Sequence, residues 1–262
     1  MDKAIPPSTG PSIRIGGVTY LNARPLVETL PRHLPEAEIN IDFPSRLADG
    51  LAGGRFDAAL VPSIEYLRQP GLRIASDAVI ACDGPVLSVK LYGRVPVQRI
   101  ETLALDEGSR TSAALARILL GERFGLRPQL LPLPLETAPT ACRADAVVVI
   151  GDRGMLDPAE DLAFVWDLGE EWSRWTKLPF VFALWAARPH VAAARIDSAL
   201  AAARDEGVRR LAEIARLAAP EVGLPESVCI SYLCDNLEFH LGPRQRAGME
   251  RFFELARRHG LA

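Results

Sequence analysis

Short apolar segments alternate along most of the chain with segments in which apolar residues recur at helical spacing. The first kind predicts strands at 13–18, 39–43, 56–61, 102–105, 129–133, 144–150, 164–168 and 180–186. The second kind predicts helices at 22–30, 46–53, 64–68, 109–124, 170–177, 191–217 and 244–259. Because strands and helices alternate, we predict an α/β fold with largely parallel sheets and crossover connections.

An extended segment at 73–92, interrupted by the turn Asp83-Gly84-Pro85, separates two runs of this strand and helix order. It can carry the chain from one lobe to another, and the strand at 180–186 can bring it back. We therefore predict a two-lobed fold of the type II periplasmic-binding-protein-like kind, with a ligand cleft between the lobes. The predicted parts are a disordered leader at 1–12, lobe 1 at 13–94 and 187–262, and lobe 2 at 95–186. A single doubly wound domain is the alternative architecture.

Composition narrows the classes of partner. The 262 residues have a formal net charge of −3, so the chain lacks the excess of positive charge that binding nucleic acid requires. No apolar run approaches the roughly 20 residues of a membrane-spanning helix, and the opening residues do not resemble a secretory signal. We therefore expect a cytoplasmic protein that binds a small molecule, with neither nucleic acid nor a membrane as partner. The sequence leaves the oligomeric state open.

The spacing of ligand-type residues argues against metal and nucleotide sites. The four cysteines form no CxxC pair, and the four histidines lack the spacing of metal ligands. The motifs GxGxxG, GxxxxGK[ST], GxSxG and HExxH do not occur. We therefore expect no structural zinc and no nucleotide, serine hydrolase or zinc protease site of the kinds that these motifs mark, and we expect free thiols, in keeping with a reducing compartment.

Polar residues cluster where predicted strands end and helices begin, and such positions offer free backbone N–H groups to an anion. The candidates are Tyr20, Asn22, Ser63, Gly84, Ser88, Ser109, Arg110, Thr111 and Ser112. The last four suit a carboxylate, because three hydroxyls and an arginine lie at the start of a long helix.

Each candidate also has a purely structural interpretation. Helix capping alone is the alternative for Asn22, Ser63, Ser109 and Thr111. Arg110 can face solvent. Asp152, directly after the strand at 144–150, can orient a substrate hydroxyl, act as an acid or base, or bond only its own turn. The sequence leaves these alternatives open.

Five segments carry a family resemblance. They are GVTYLNARPL (17–26), FDAALVPSIEYLR (56–68), DGPVLSV (83–89), GSRTSAALARILL (108–120) and DLGEEWSRWTKLPFVFALW (167–185). Taken in order, they resemble the chorismate dehydratase family of the futalosine route to menaquinone. The resemblance implies a type II solute-binding fold, no metal or organic cofactor, and conversion of chorismate to 3-[(1-carboxyvinyl)oxy]benzoate and water.

The resemblance also gives the candidates roles. Asn22 matches the family's asparagine at the end of the first strand and is the predicted catalytic residue. Hydrogen bonds from the helix start at 109–112 and from Ser88 are predicted to stabilise charge that develops on the ring carboxylate. Tyr20, Ser63, Gly84 and Asp152 complete the predicted substrate contacts. The alternative functions are a 1,4-dihydroxy-6-naphthoate synthase-like enzyme and a non-catalytic cytoplasmic solute-binding protein.

Overall fold

A computed structural model describes residues 13–135, 137–158, 160–189 and 193–262, so the predicted leader at 1–12 lies outside the described residues. The strands are β1 Arg14–Val18, β2 Glu38–Asp42, β3 Ala58–Pro62, β4 Arg73–Cys82, β5 Val89–Gly93, β6 Thr102–Asp106, β7 Gln129–Leu133, β8 Ala146–Ile150, β9 Phe164–Asp167, β10 Phe180–Ala187 and β11 Glu238–His240. The α-helices are α1 Arg24–Val27, α2 Leu30–His33, α3 Pro44–Ala52, α4 Ser63–Arg68, α5 Arg110–Phe124, α6 Leu168–Thr176, α7 Ala193–Arg209, α8 Leu211–Val222, α9 Glu226–Ser231 and α10 Pro243–Arg258.

The strands form two sheets, one in each lobe, and the predicted two-lobed α/β fold is confirmed. The six-stranded sheet has the order β11-β4-β10-β3-β1-β2, and the five-stranded sheet has the order β7-β6-β8-β5-β9. The helices that follow β10 pack mainly on the six-stranded sheet, with α7 against β4 and α10 against β10. This arrangement leaves the ends of several strands facing one another across a cleft.

The sheets are mixed, which corrects the expectation of largely parallel pairing. β1 is parallel to β2 and β3, and β6 is parallel to β7 and β8. In contrast, β10 is antiparallel to β3 and β4, and β5 is antiparallel to β8 and β9. The reason lies in the connections: β10 and β5 receive the chain from the other lobe, so they start at the cleft where β3 and β8 end.

The two crossings also differ from the predicted lobe boundaries at 94/95 and 186/187. The chain leaves the six-stranded sheet after β4, and β5 already pairs within the five-stranded sheet. It returns through α6, and β10 lies in the middle of the six-stranded sheet. An apolar strand pattern indicates burial but not which sheet buries the strand, so the boundaries fall about one strand earlier than predicted.

Burial explains why β8 is so apolar. Its sequence is AVVVI, and every residue of it is buried. Ala146, Val148 and Ile150 face the large core that continues into the first lobe, whereas Val147 and Val149 face a smaller cluster on the opposite side of the sheet. A strand that is covered on both faces has a continuous run of apolar residues, because neither face needs the polar residues that would otherwise alternate with them. The strand therefore gives the second lobe a rigid centre that ends at the cleft.

Candidate active site

A cavity lies between the two sheets. Its polar wall residues are Tyr20, Asn22, Ser88, Ser109 and Ser112, and the remainder of the wall is apolar, with Val18, Ile80, Val89, Ile150 and Phe182 among its members. No charged side chain is among the described residues that line it. The cavity therefore offers hydroxyl and amide groups in an apolar enclosure, which is typical of a small-molecule site.

Asn22 lies in a short 3₁₀ turn, Leu21–Ala23, between β1 and α1. Its side-chain Oδ1 is buried and has no hydrogen-bond partner among the described residues. A buried carbonyl oxygen without a partner costs about 1–3 kcal/mol. A ligand that donates a hydrogen bond to Oδ1 would recover that energy, so this atom is a strong candidate for a substrate contact.

Asp152 fixes the same turn from the opposite lobe. Its carboxylate accepts the Leu21 backbone N–H at 3.1 and 3.4 Å, a bond that joins the turn after β8 to the turn after β1. Burial raises the pKa of Asp152, while the Leu21 N–H and the charge of Arg24 oppose the rise. Asp152 is not part of the cavity wall. The structure thus places it as an anchor of the Asn22 turn, although its sequence position also fitted a substrate contact.

Ser109 and Ser112 combine helix capping with a place in the cavity wall. Ser109 is the N-cap of α5, where its Oγ accepts the backbone N–H of Ser112 at 3.3 Å. The Ser109 hydroxyl in turn donates to the Ser112 Oγ at 2.9 Å. That bond occupies an acceptor position on Ser112, so the Ser112 hydroxyl keeps its own proton for an acceptor in the cavity. Capping and ligand binding are therefore compatible at this helix start.

Ser63 and Thr111 are also at helix starts, but both are completely buried between the lobes. The Ser63 hydroxyl donates to the Val181 carbonyl oxygen at 2.7 Å, and the Thr111 Oγ1 accepts the Ile64 backbone N–H at 3.2 Å. The two hydroxyl oxygens lie 3.4 Å apart. The structure brings these predicted contacts together behind the cavity wall, where they join the start of α4 to the start of α5.

Arg110 points away from the cavity and makes ion pairs across the lobes. Its guanidinium lies 2.8 Å from the Asp49 carboxylate on α3 and 3.2 Å from the Glu65 carboxylate on α4. Glu65 is almost fully buried, so it needs this positive charge together with that of Arg68. The arginine therefore holds the lobes together in this structure and does not reach the cavity.

The first crossing, residues 83–88, brings Ser88 to the cavity but leaves Gly84 outside its wall. Gly84 has φ of +136° and Leu87 has φ of +61°, which is uncommon for a residue with a side chain. The Asp167 carboxylate holds this backbone by accepting the Leu87 N–H at 2.7 Å and also caps α6. Such fixed, strained backbone is characteristic of functional sites. The result is a defined position for Ser88.

Tyr20 extends from the first lobe over the backbone of the second. A Cβ placed on Gly151 would lie 2.5 Å from the Tyr20 Cε1, and a Cβ on Gly108 would lie 3.2 Å from the Tyr20 hydroxyl. Gly151 also has φ of +70°. Both the close ring and the backbone angle therefore require glycine at 151.

Tyr232 belongs to the site, and sequence reasoning missed it. It opens a π-helical segment, Tyr232–Asn236, that follows α9. Its side chain is fully buried, and its hydroxyl donates to the Ser88 Oγ at 2.7 Å. Burial raises the pKa of the Tyr232 phenol, with a smaller opposing effect from the Ser88 hydrogen bond. No motif in its neighbourhood signals this role, because the contact joins residues far apart in sequence.

None of the helices in the described part of the chain is long and apolar enough to cross a bilayer. No group of three or more His, Cys, Asp or Glu side chains within it is arranged to hold a metal ion.

Comparison with known proteins agrees with the fold and identifies the family. The family described as "Menaquinone biosynthesis" matches residues 13–258. A chorismate dehydratase of Thermus thermophilus is 31% identical over 263 residues, covering 92% of this chain and 93% of that protein. Among solved structures, a protein of Archaeoglobus fulgidus has a TM-score of 0.77 at 16% identity and covers 95% of this chain and 98% of its own.

The alkanesulfonate-binding protein of Xanthomonas axonopodis pv. citri has a TM-score of 0.67 at 16% identity, with 97% of this chain and 95% of that protein covered. At such low identity the likeness shows the fold alone, and it confirms the solute-binding-protein architecture. The family match and the relative from Thermus confirm the resemblance seen in the sequence, and the chain belongs to the chorismate dehydratase family of menaquinone biosynthesis.

Proposed function

We propose that the protein is a chorismate dehydratase, a carbon–oxygen lyase that converts chorismate to 3-[(1-carboxyvinyl)oxy]benzoate and water in the futalosine route to menaquinone. The relative from Thermus, which matches along nearly its whole length, carries that name. The observation that carries the proposal is the cavity between the lobes, where the orphaned Asn22 Oδ1 lies among the hydroxyls of Ser88, Ser109 and Ser112.

The chemistry of chorismate fits this wall. The molecule has two carboxylates, a hydroxyl and an enolpyruvyl ether on a cyclohexadiene ring, so it needs several hydrogen-bond donors and an apolar surface for the ring. The start of α5 supplies hydroxyls together with the positive end of a helix of 15 residues. Neutral donors suffice here, because a helix start and hydroxyls in an apolar enclosure bind an anion without a full charge.

The reaction removes a proton from C3 and the hydroxyl from C4, and the ring becomes aromatic. The C3 proton is acidic through its conjugation with the ring carboxylate, so negative charge accumulates on that carboxylate as the proton leaves. Donors fixed in advance around the carboxylate stabilise this charge, and we assign that work to Ser88, Ser112 and the start of α5. In this proposal a substrate carboxylate or a water takes the C3 proton, and the C4 hydroxyl takes up a proton as it leaves as water. Aromatisation of the ring drives this loss.

Asn22 acts at the reacting edge of the ring in this proposal. A neutral amide is not a base, so Asn22 orients the substrate and does not take the proton. Its Oδ1 accepts a hydrogen bond from the substrate, which satisfies an atom that has no partner among the described residues. The contact that Asp152 makes with Leu21 holds the turn in place for this purpose.

The direct test is to incubate purified, chelator-treated protein with chorismate and to follow the ultraviolet spectrum, with mass analysis for loss of one water. Formation of the enolpyruvyl benzoate supports the proposal. Chorismate that binds unchanged would favour a non-catalytic binding protein, and chorismate that does not bind would favour the naphthoate synthase-like alternative. Either outcome rejects the dehydratase.

A variant pair tests the role of Asn22. Loss of a positioned polar group at a charge-developing site commonly lowers kcat about a hundredfold, and we expect that fall for N22A. N40A is the matched control, since Asn40 lies on β2, is exposed, and its side-chain amide donates to the side chain of Glu38. If the wild type converts chorismate and N22A does so at the same rate, the assignment of Asn22 is wrong.

A further inference from the structure

Tyr232 supports a cavity residue that comes from a distant part of the chain. Ser88 ends the first crossing, and Tyr232 comes from the helices after β10. The Tyr232 hydroxyl donates to Ser88, which lines the cavity together with Asn22. Tyr232 is fully buried and is not part of the cavity wall, so it holds Ser88 from behind that wall. A catalytic role for this pair rests on the proposed dehydratase function.

The direction of the bonds determines what each group presents to the cavity. Tyr232 donates its only hydroxyl proton to the Ser88 Oγ at 2.7 Å. Ser88 has no acceptor for its own proton among the described residues, and it lines the cavity. Because the phenol occupies the acceptor side of Ser88, the serine proton is available as a donor to a ligand.

Asn22 lines the same cavity as Ser88, and its buried Oδ1 has no partner among the described residues. Ser88 and Asn22 therefore offer a ligand a donor and an acceptor in one wall. Burial raises the pKa of the Tyr232 phenol, so the phenol stays protonated and serves as a neutral donor and not as a base.

Helix α9 carries the phenol to this place, since Tyr232 directly follows it with α-helical dihedrals, φ −55° and ψ −52°. Tyr232 also opens a π-helical segment of five residues. Such π-helical turns are rare and are found often at functional sites.

We infer that Tyr232 is a positioning residue of the dehydration: its hydroxyl orients Ser88 as a donor to the substrate, without touching the substrate itself. Removal of the hydroxyl would leave Ser88 in the cavity wall but free to rotate. The substrate would then still bind, but a fixed donor that stabilises the developing charge would be lost.

The experiment compares wild type, Y232F, S88A and the double variant Y232F/S88A in steady-state turnover of chorismate, with thermal unfolding as a check on folding. We expect Y232F to lower kcat about ten- to a hundredfold with a much smaller change in KM. In the S88A background, Y232F should lower kcat much less than it does in the wild type, since its main target is absent. Y66F is the matched control, because Tyr66 packs against Phe253 away from the cavity wall.

The outcomes separate the two proposals. If wild type and Y66F convert chorismate and Y232F does so at the same rate, the positioning role is wrong while the dehydratase stands. Equal losses from Y232F in both serine backgrounds would also overturn it, because a merely structural tyrosine acts independently of Ser88. If the wild type does not convert chorismate, both proposals are rejected.

Discussion

Gly151 offers the sharpest test of how the cleft is built. Its backbone has φ of +70° and ψ of −160°, a region that is essentially restricted to glycine. A Cβ at this position would lie 2.5, 2.7 and 2.8 Å from three ring carbons of Tyr20. G151A therefore strains the backbone and forces the ring of a cavity residue to move.

The two effects have calculable sizes. The backbone conformation costs alanine on the order of 1–3 kcal/mol. The ring must also retreat by about 1 Å to reach an ordinary carbon–carbon contact, and overpacking of this kind costs about 1–3 kcal/mol more. We therefore expect G151A to lose about 2–6 kcal/mol of unfolding free energy. A displacement of about 1 Å in the cavity wall should lower kcat/KM about a hundredfold.

The assay is urea unfolding together with steady-state turnover, and Gly125 is the matched control. It has almost the same φ, +69°, but apart from its chain neighbours no described residue has an atom within 4 Å of an added Cβ. G125A should lose about 1 kcal/mol as a helix-terminating glycine and retain full turnover. If G151A behaved like G125A in both measurements, the collision with Tyr20 would be refuted. A second check is Y20A, in whose background G151A should cost less stability than in the wild type.

Two further changes probe the elements that hold the cavity. S109A should lower the urea unfolding free energy by about 1 kcal/mol, because α5 loses its N-cap acceptor for the Ser112 N–H, and an unchanged midpoint would contradict the cap. Burial raises the pKa of Asp152 above its ordinary 3.8, so the folded protein holds a proton that the unfolded chain releases. This group therefore reduces stability as pH rises from 3.8 through the raised pKa. D152N removes that loss, so the melting temperature of D152N minus that of the wild type should increase across this range, and a constant difference would count against a raised pKa.

The periodicity of the sequence predicted most elements because local burial produces it. The strand at 129–133 agrees with β7 at both ends, and the helix at 109–124 agrees with α5 to within one residue. The sheet to which each strand belongs depends on contacts between distant segments. For that reason the predicted lobe boundaries follow β5 and β10, whereas the chain changes sheets before each of these strands.

In the candidate site, too, local sequence predicted some residues, while others depend on contacts between distant segments. Asn22, Ser88 and Ser112 follow from a local rule, since polar residues at the cleft ends of strands meet at one place. The rule does not say in which direction a hydroxyl points, and Thr111 turned out to face the other lobe. Tyr232 lies 144 residues from Ser88 and was beyond the reach of any local pattern.

The position of β10 has a consequence for how the protein is made. This strand lies between β3 and β4 in the middle of the six-stranded sheet, yet the ribosome delivers it after the whole of the five-stranded sheet. Until then, a nascent chain carries β3 and β4 with unpaired edges, which are the kind of edge that recruits other chains. The five-stranded sheet can be completed before β10 is synthesised, whereas the six-stranded sheet cannot. The slow stage of folding, in which the chain is exposed to aggregation, therefore belongs to the lobe whose synthesis begins first.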